Sequence, residues 1–374
     1  MLTRRGAVIG SLAALAPNAF GALAATATNE AGNSLAPRTL AFPRDHGAHN
    51  DFRVEWWYLT GWLDREAASG SAYDAALGFQ VTFFRMRTGI DPANPSRFAA
   101  HQILLAHVAL ADPARGALLQ EQRIGRTGFG VAAAAESDTD LTLDRWQFAR
   151  AADGAYHCSL RTREFALDLA ALPTQPLLLQ GEAGLSRKGP LAAQASYYYS
   201  QPQLAVSGTV ERAGARASCR GVAWLDHEWG NTLLAADASG WDWFGMNLAD
   251  GSALTAFQIR RRADPHNDRP LHAYASLRGR NTARVHRFAA DEIRWLPLTQ
   301  WNSPRTGAHW PVAQRIRIGA RTFDTMPLFD DQELDSRAVN GIVYWEGASQ
   351  LLEDGNPIGR GYLELTGYAA PMAL

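Results

Sequence analysis

Apolar and polar positions alternate along most of this chain. In Leu77-Gly78-Phe79-Gln80-Val81-Thr82-Phe83 the odd positions are apolar and the even ones small or polar. That is the pattern of a strand with one buried face. Ile103, Leu105, His107 and Ala109 share a face in the next run. Tyr156, Cys158 and Leu160 alternate with His157, Ser159 and Arg161, and Leu204, Val206, Gly208 and Val210 repeat the pattern. Further strand-like runs cover 241–248, 253–260, 315–318, 342–346 and 361–368. The pairs Asp153-Gly154, Asp250-Gly251 and Asp354-Gly355 read as hairpin turns. Proline-containing loops fall at 91–95, 264–270 and 303–311. Helical periodicity is scarce, and Phe165 to Leu172 is the one candidate for a short helix. Many short strands at this spacing predict an all-β chain, an antiparallel barrel or sandwich.

A chain of 374 residues is too long for one small barrel and fits two. The turn at Arg212-Ala213-Gly214-Ala215 places the boundary, giving domains at 38–214 and 215–374. No linker separates them, so tight packing is expected. The N-terminus reads as a leader over residues 1–27: Arg4-Arg5, a short apolar run over 6–16, then small residues at Ala22-Leu23-Ala24. The paired arginines point to twin-arginine export, although no strongly apolar residue follows two places after them. A periplasmic or secreted location is therefore expected. The apolar run is shorter than the ~20 residues a bilayer span needs, and no later stretch reaches that length.

Composition removes several function classes. A formal net charge of −1, with no basic or acidic tail, gives no general attraction to nucleic acid or anionic lipid. The two cysteines, Cys158 and Cys219, lie on separate strand-like segments, outside any Cys-x-x-Cys or zinc spacing; two buried thiols are expected in preference to a disulfide. There is no Gly-x-Ser-x-Gly elbow, P-loop or Gly-rich dinucleotide fingerprint, so no nucleotide or other cofactor is expected.

Three segments carry candidate chemistry. In Glu55-Trp56-Trp57-Tyr58, alternation puts Glu55 and Trp57 on one face and Trp56 and Tyr58 on the other. A buried carboxylate there needs a partner, with Arg53 and Arg85 as candidates; a ligand site is the other reading. Trp224-Leu225-Asp226-His227-Glu228-Trp229-Gly230 packs titratable groups among aromatics, where protonation equilibria shift. Asp226 or Glu228 is the candidate general acid, with His227 orienting it or taking up a proton; an ion-pair knot at a strand end is the competing view. Trp241-Asp242-Trp243-Phe244 follows as the next strand, and Tyr197-Tyr198-Tyr199 adds aromatic surface. With 12 Trp, 10 Tyr and 15 Phe, aromatic walls would suit an apolar ligand and stabilise a cation, although most such residues belong to barrel cores and rims. His46 and His49 show no clear further metal ligands, and no metal site is expected. His107 reads as a hydrogen-bonded core histidine.

Taken together, Phe42-Pro43-Arg44-Asp45-His46-Gly47-Ala48-His49 with Glu55 to Gly61, Ser196 to Ser200, Gly221 to Gly230, Trp301 to Gly307, Tyr344-Trp345-Glu346-Gly347 and Gly361 to Tyr368 resemble the carotenoid 1,2-hydratase/AttH-like family. The resemblance spans residues 40–368. It implies two tandem lipocalin-like (calycin-type) β-barrels around an apolar small-molecule ligand. In the hydratases an acid protonates a terminal double bond and water captures the cation; other members are thought to hold a polyene in a reactive fold. The hydratases use a His-x-Trp pair, matched here by His227 and Trp229. They also use a Tyr-x-Asp, and the strand placed at Leu254 to Ile259 reads Ala256-Phe257-Gln258, without the acid. Asp226, Glu228 or Asp242 would then supply the proton.

Two functions stand from this reading. One is an enzyme acting on an isoprenoid or other unsaturated apolar substrate, with Glu55, Trp57, Tyr198, Trp229, Trp243 and Gln258 in the ligand site. The other is a non-catalytic periplasmic carrier of a lipid or isoprenoid, for which family resemblance makes an ABC-type export permease a candidate partner.

Overall fold

The computed structural model describes residues 34–65, 76–232, 234–263 and 269–372. The leader read at residues 1–27 lies outside the described residues. Among the described residues strands dominate, in two antiparallel sheets of thirteen and ten strands. The first is a nearly closed barrel and the second a half-barrel, the tandem lipocalin-like arrangement. At the middle of the first sheet, Val54–Arg65 pairs with Leu77–Arg87 on one side and Ala215–Gly230 on the other. Ala195–Arg212 lies beyond Ala215–Gly230. In the second sheet, Ala238–Leu248 pairs with Ala253–Arg261 and with Asn356–Thr366, which in turn pairs with Ile342–Glu353.

All three Asp-Gly turns form as read. At Asp354-Gly355 both residues take positive φ, 51° and 77°, the conformation a two-residue hairpin loop requires. The turn at 212–215 also forms, with φ of 49° at Ala213 and 77° at Gly214. It joins two neighbouring strands of the first sheet, so a division between 214 and 215 passes through a hairpin. The chain changes sheets between Gly230 and Ala238. The helix expected at Phe165 to Leu172 is a strand, Phe165–Pro173. Phe165, Leu167, Leu169 and Ala171 are buried with period two, and burial of that face against the barrel core overrides the local composition.

The core of the first barrel collects Trp57, Leu59, Phe79, Phe83, Trp146 and Phe148. The second core holds Phe244, Trp295, Trp310, Trp345 and Leu363. A third apolar cluster joins the sheets, with Tyr58, Trp62 and Trp224 from the first and Trp243, Phe257 and Tyr362 from the second. This packing explains the small residues on the even face of Leu77–Arg87. Gly78, Gln80 and Thr82 are as buried as the apolar positions between them, because the second sheet covers them. A Cβ at Gly78 would sit 2.5 Å from the Ala348 Cβ and 2.7 Å from the Tyr362 hydroxyl. Cys158 and Cys219 are both buried in the first core and no disulfide joins them. His107 is fully buried and meets Tyr344 and Ser336 of the second sheet through its ring nitrogens. Burial pushes it down to about 3, so it serves as a neutral hydrogen-bonding ring.

Candidate functional site between the sheets

The strand Ala215–Gly230 divides its own motif. Residues opposite one another across antiparallel strands share a face. Trp57 lies opposite His227, and Glu55 opposite Trp229; Tyr58 lies opposite Asp226, and Trp56 opposite Glu228. The neighbouring tyrosines divide the same way, Tyr199 opposite His227 and Tyr198 opposite Glu228. Asp226, His227 and Glu228 are all buried, but they do not form one trio. His227 faces into the first barrel, whereas Asp226 and Glu228 face the second sheet.

Inside the barrel, Glu55 is the hub. Its Oε1 accepts from His227 Nε2 at 2.8 Å and His49 Nδ1 at 2.7 Å. Its Oε2 accepts from the His49 main-chain N–H at 2.8 Å and Arg85 Nε at 2.7 Å. Burial alone would raise this carboxyl, but the two histidine hydrogen bonds and Arg85 overcome that and hold it below the usual carboxylate range. Burial, opposed by Glu55, lowers His227 to about 4, so it is a neutral ring at neutral pH. His49 Nε2 reaches Asp45 at 2.9 Å. Among the described residues, His49, Glu55 and His227 bring one donor atom each within 4.8 Å of one another, as metal ligands would. Those atoms hydrogen-bond to one another through Glu55 Oε1, and Arg85 sets a permanent positive charge against Glu55 Oε2. The donor set fits an ion-pair network better than a cation. Trp57 stacks on His227 at 4.5 Å, and the Trp229 ring stacks on His49 at 3.8 Å. Glu55, Trp57, His227 and Trp229 thus act as one buried structural knot, with Arg85 the partner chosen from the two candidates.

On the opposite face lies a cavity of about 160 Å³ between the sheets. Its wall is mostly apolar: Trp56, Tyr58, Phe84, Leu105 and Tyr198 from the first sheet, and Trp241, Trp243, Phe257, Ile259 and Tyr344 from the second. Asp226, Glu228, Glu346 and Glu364 interrupt it, and the buried pair Glu55 and Arg85 also belongs to its lining. Asp226 accepts from Tyr198 Oη at 2.8 Å, Ser200 Oγ at 2.5 Å and Trp224 Nε1 at 2.7 Å. Trp243 Nε1 in turn donates to Tyr198 Oη at 3.1 Å. These donors favour the anion, yet burial outweighs them and raises Asp226 to about 7. Glu228 is neutralised by Lys188 at 2.8 Å and accepts from Ser196. Lys188 also lies over the Tyr198 and Phe257 rings at 4.6 and 4.4 Å. Glu346 and Glu364 sit directly opposite each other on paired strands. Burial, then mutual repulsion, raises Glu346 far above its ordinary value; burial raises Glu364 to about 8.

Of the ten site residues read from the sequence, Asp226, Glu228, Tyr198 and Trp243 line this cavity from the face toward the second sheet, and Glu55 also belongs to its lining while its carboxylate bonds to His49, Arg85 and His227. Asp242 and Gln258 face the interior of the second sheet, where Gln258 Nε2 donates to Asp242 at 2.7 Å and Arg260 and Tyr368 complete the cluster. Burial raises Asp242 despite Arg260. It is an internal ion pair, remote in orientation from Asp226. Sequence reading missed Tyr58, Lys188, Glu346 and Glu364 as site residues. The available signal was a glutamate inside each of two apolar strands, Tyr344-Trp345-Glu346 and Leu363-Glu364-Leu365.

Comparison with known proteins agrees with the architecture. The AttH-like family model matches residues 33–368. A crystal structure of an assigned AttH from Nitrosomonas europaea is 49% identical with a TM-score of 0.82, over 90% of this chain and 99% of that one. Kievitone hydratase from Nectria haematococca shares the fold at 14% identity and TM-score 0.64, over 89% and 94% of the two chains. CghA with Sch210972 does so at 12% identity and TM-score 0.50, over 91% and 97%. No curated protein matches. The chain belongs to the AttH-like family.

Proposed function

We propose that the cavity between the sheets binds an apolar, unsaturated small molecule of isoprenoid or polyene type, and that Asp226 delivers a proton to it. The observation that carries this reading is the position of Asp226, a carboxyl group buried among Tyr58, Tyr198, Trp224 and Trp243 on the cavity side of its strand. Burial raises it to about 7, so a large fraction stays protonated near neutral pH and is available as a general acid. Aromatic faces on both walls would stabilise the cation formed by protonation of a double bond. Capture of that cation by water gives hydration, and loss of a different proton gives isomerisation or cyclisation. The matched His227–Trp229 pair would act from inside the first barrel, through the shape of the strand.

A non-catalytic carrier would use the same apolar walls. The two functions separate in one experiment. Asp226→Asn keeps size and most hydrogen bonds but has no acidic proton. In an enzyme it abolishes turnover of a polyene substrate while the affinity for that ligand changes little; in a carrier there is no turnover to lose, and native mass spectrometry finds a co-purified lipid in both forms. Residues Arg4-Arg5 favour export to the periplasm or beyond, with an export permease as the candidate partner; fractionation of cells expressing Arg4→Lys/Arg5→Lys checks the route.

A further inference from the structure

Two polar atoms on the cavity wall stand out. Among the described residues, the Tyr58 hydroxyl and Glu346 Oε2 are buried without a hydrogen-bond partner, although the Gln80 side chain interacts with the Glu346 carboxyl. Both residues line the cavity, one from each sheet. Leaving such groups unpaired is costly, so two of them lining one cavity, with Glu346 the foremost charged neighbour of Tyr58, mark a position for a ligand atom. Glu346 faces Glu364 across the strand pair, and two adjacent buried carboxyls do not both ionise. A protonated Glu346 and the Tyr58 phenol are both O–H donors. Tyr58 also lies directly opposite Asp226, which places a proton-transferring carboxyl beside Tyr58 on the wall of the same cavity.

We propose that Tyr58 and Glu346 form a hole for a carbonyl oxygen, and that the ligand of this cavity is an unsaturated ketone. This rests on the apolar cavity and the proton-transferring Asp226 of the reading above, and replaces its cation by an enolate: Asp226 acts first as base and then as acid. A phenol paired with a carboxylic acid kept neutral by apolar surroundings is suited to holding the oxygen of an enolate. The chemistry closes without a co-reactant. Asp226, as carboxylate, removes a proton from the carbon between the carbonyl and the double bond. The C–H electron pair forms a new C=C bond, and the carbonyl π pair moves to oxygen, where Tyr58 and Glu346 hold it. The protonated Asp226 then returns the proton to the far end of the dienolate. The carbonyl reforms and the double bond has migrated into conjugation.

The test uses 2-naphthol, a planar mimic of an enolate, and naphthalene, which has the same apolar body without oxygen. Binding is read by fluorescence titration at pH 6 on the full chain. The expected result is a preference for 2-naphthol of at least about tenfold. Tyr58→Phe and Glu346→Met, made singly, each reduce 2-naphthol affinity about tenfold and leave naphthalene affinity unchanged. Equal affinity of the wild-type chain for the two compounds overturns the carbonyl hole and leaves the apolar cavity standing; this comparison requires no variant to fold. A naphthol preference that survives both substitutions overturns it as well. Failure of both compounds to bind overturns the cavity reading and this inference together.

Discussion

Asp226 and His227 are joined by a peptide bond and face opposite sides of the same sheet. Asp226 shares its face with Tyr58 and His227 shares its face with Trp57. Their substitutions should therefore give different phenotypes. His227→Ala removes a ring stacked on Trp57 and tilted against Trp229, and takes a hydrogen bond from buried Glu55. It should lower unfolding free energy by roughly 3 kcal/mol in a guanidinium titration, with cavity affinity preserved in the molecules that remain folded. Asp226→Asn should leave stability near wild type at pH 7. If both variants changed ligand binding and stability in parallel, the separation of the two faces would be wrong.

Glu55 and Arg85 offer a sharper stability test. Both side chains are fully buried and bonded through Arg85 Nε and Glu55 Oε2. The remaining guanidinium nitrogens donate to Gln102 and to the carbonyls of His49 and Phe52. Arg85→Met leaves Glu55 with less of its compensating charge, a loss of roughly 3–5 kcal/mol. The double change Arg85→Met/Glu55→Gln should recover part of that loss, as read from denaturation midpoints. No recovery would mean that Arg85 acts mainly through its carbonyl contacts.

Asp226 also fixes a pH dependence. Its carboxyl is raised from 3.8 to about 7 in the folded chain. Between those values the native state binds more protons than the unfolded chain, so this group's contribution to stability is fully present below about 4 and is lost as pH rises toward 7. The difference in stability between wild type and Asp226→Asn should fall across that window, by up to about 1.4 kcal/mol per pH unit, and level off above it. His227, lowered from 6.5 to about 4, has the opposite sign: its contribution is present above 6.5 and is lost as pH falls toward 4. A difference curve that rises with pH between 4 and 7 would contradict the assignment of Asp226.

Much of the architecture was legible because its signal is local. Leu77 to Phe83 alternates in sequence and in space, and Asp-Gly turns announce their hairpins. Phe165 to Leu172 was not legible because Ala166, Ala170 and Leu172 put apolar residues on both faces and hide the period. The turn at Ala213-Gly214 was visible, but a turn inside a sheet has the same chemistry as one between domains. Within the site, Asp226, Glu228, Tyr198 and Trp243 were recognised by their surroundings, and His227 was grouped with them by adjacency, which in a strand means opposite faces. The Glu346–Glu364 pair was hidden by an irregularity. Counting back evenly from Asp354-Gly355 sets Glu346 opposite Leu363; a register shift at Leu351/Leu352 moves it opposite Glu364. One extra residue in a ladder changes which side chains meet, and no composition rule reports it.

The contact between the sheets can be probed away from the cavity's polar groups. Gly78 sits where Leu77–Arg87 meets Ala348 and Tyr362 of the second sheet, with the Ala111 Cβ 3.1 Å from where its own would be. Its backbone is extended strand, so the demand for glycine there comes from space alone. Gly78→Ala should lower stability by about 1–3 kcal/mol through overpacking. Ala348→Gly alone removes one methyl group and should cost less. Combined, the two changes move the methyl from one wall to the other, and the double variant should be more stable than the sum of the single losses predicts. The coupling energy from denaturant unfolding of all four proteins measures this. A value near zero would show that the sheets do not touch at Gly78, and the cavity they enclose would lose its second wall.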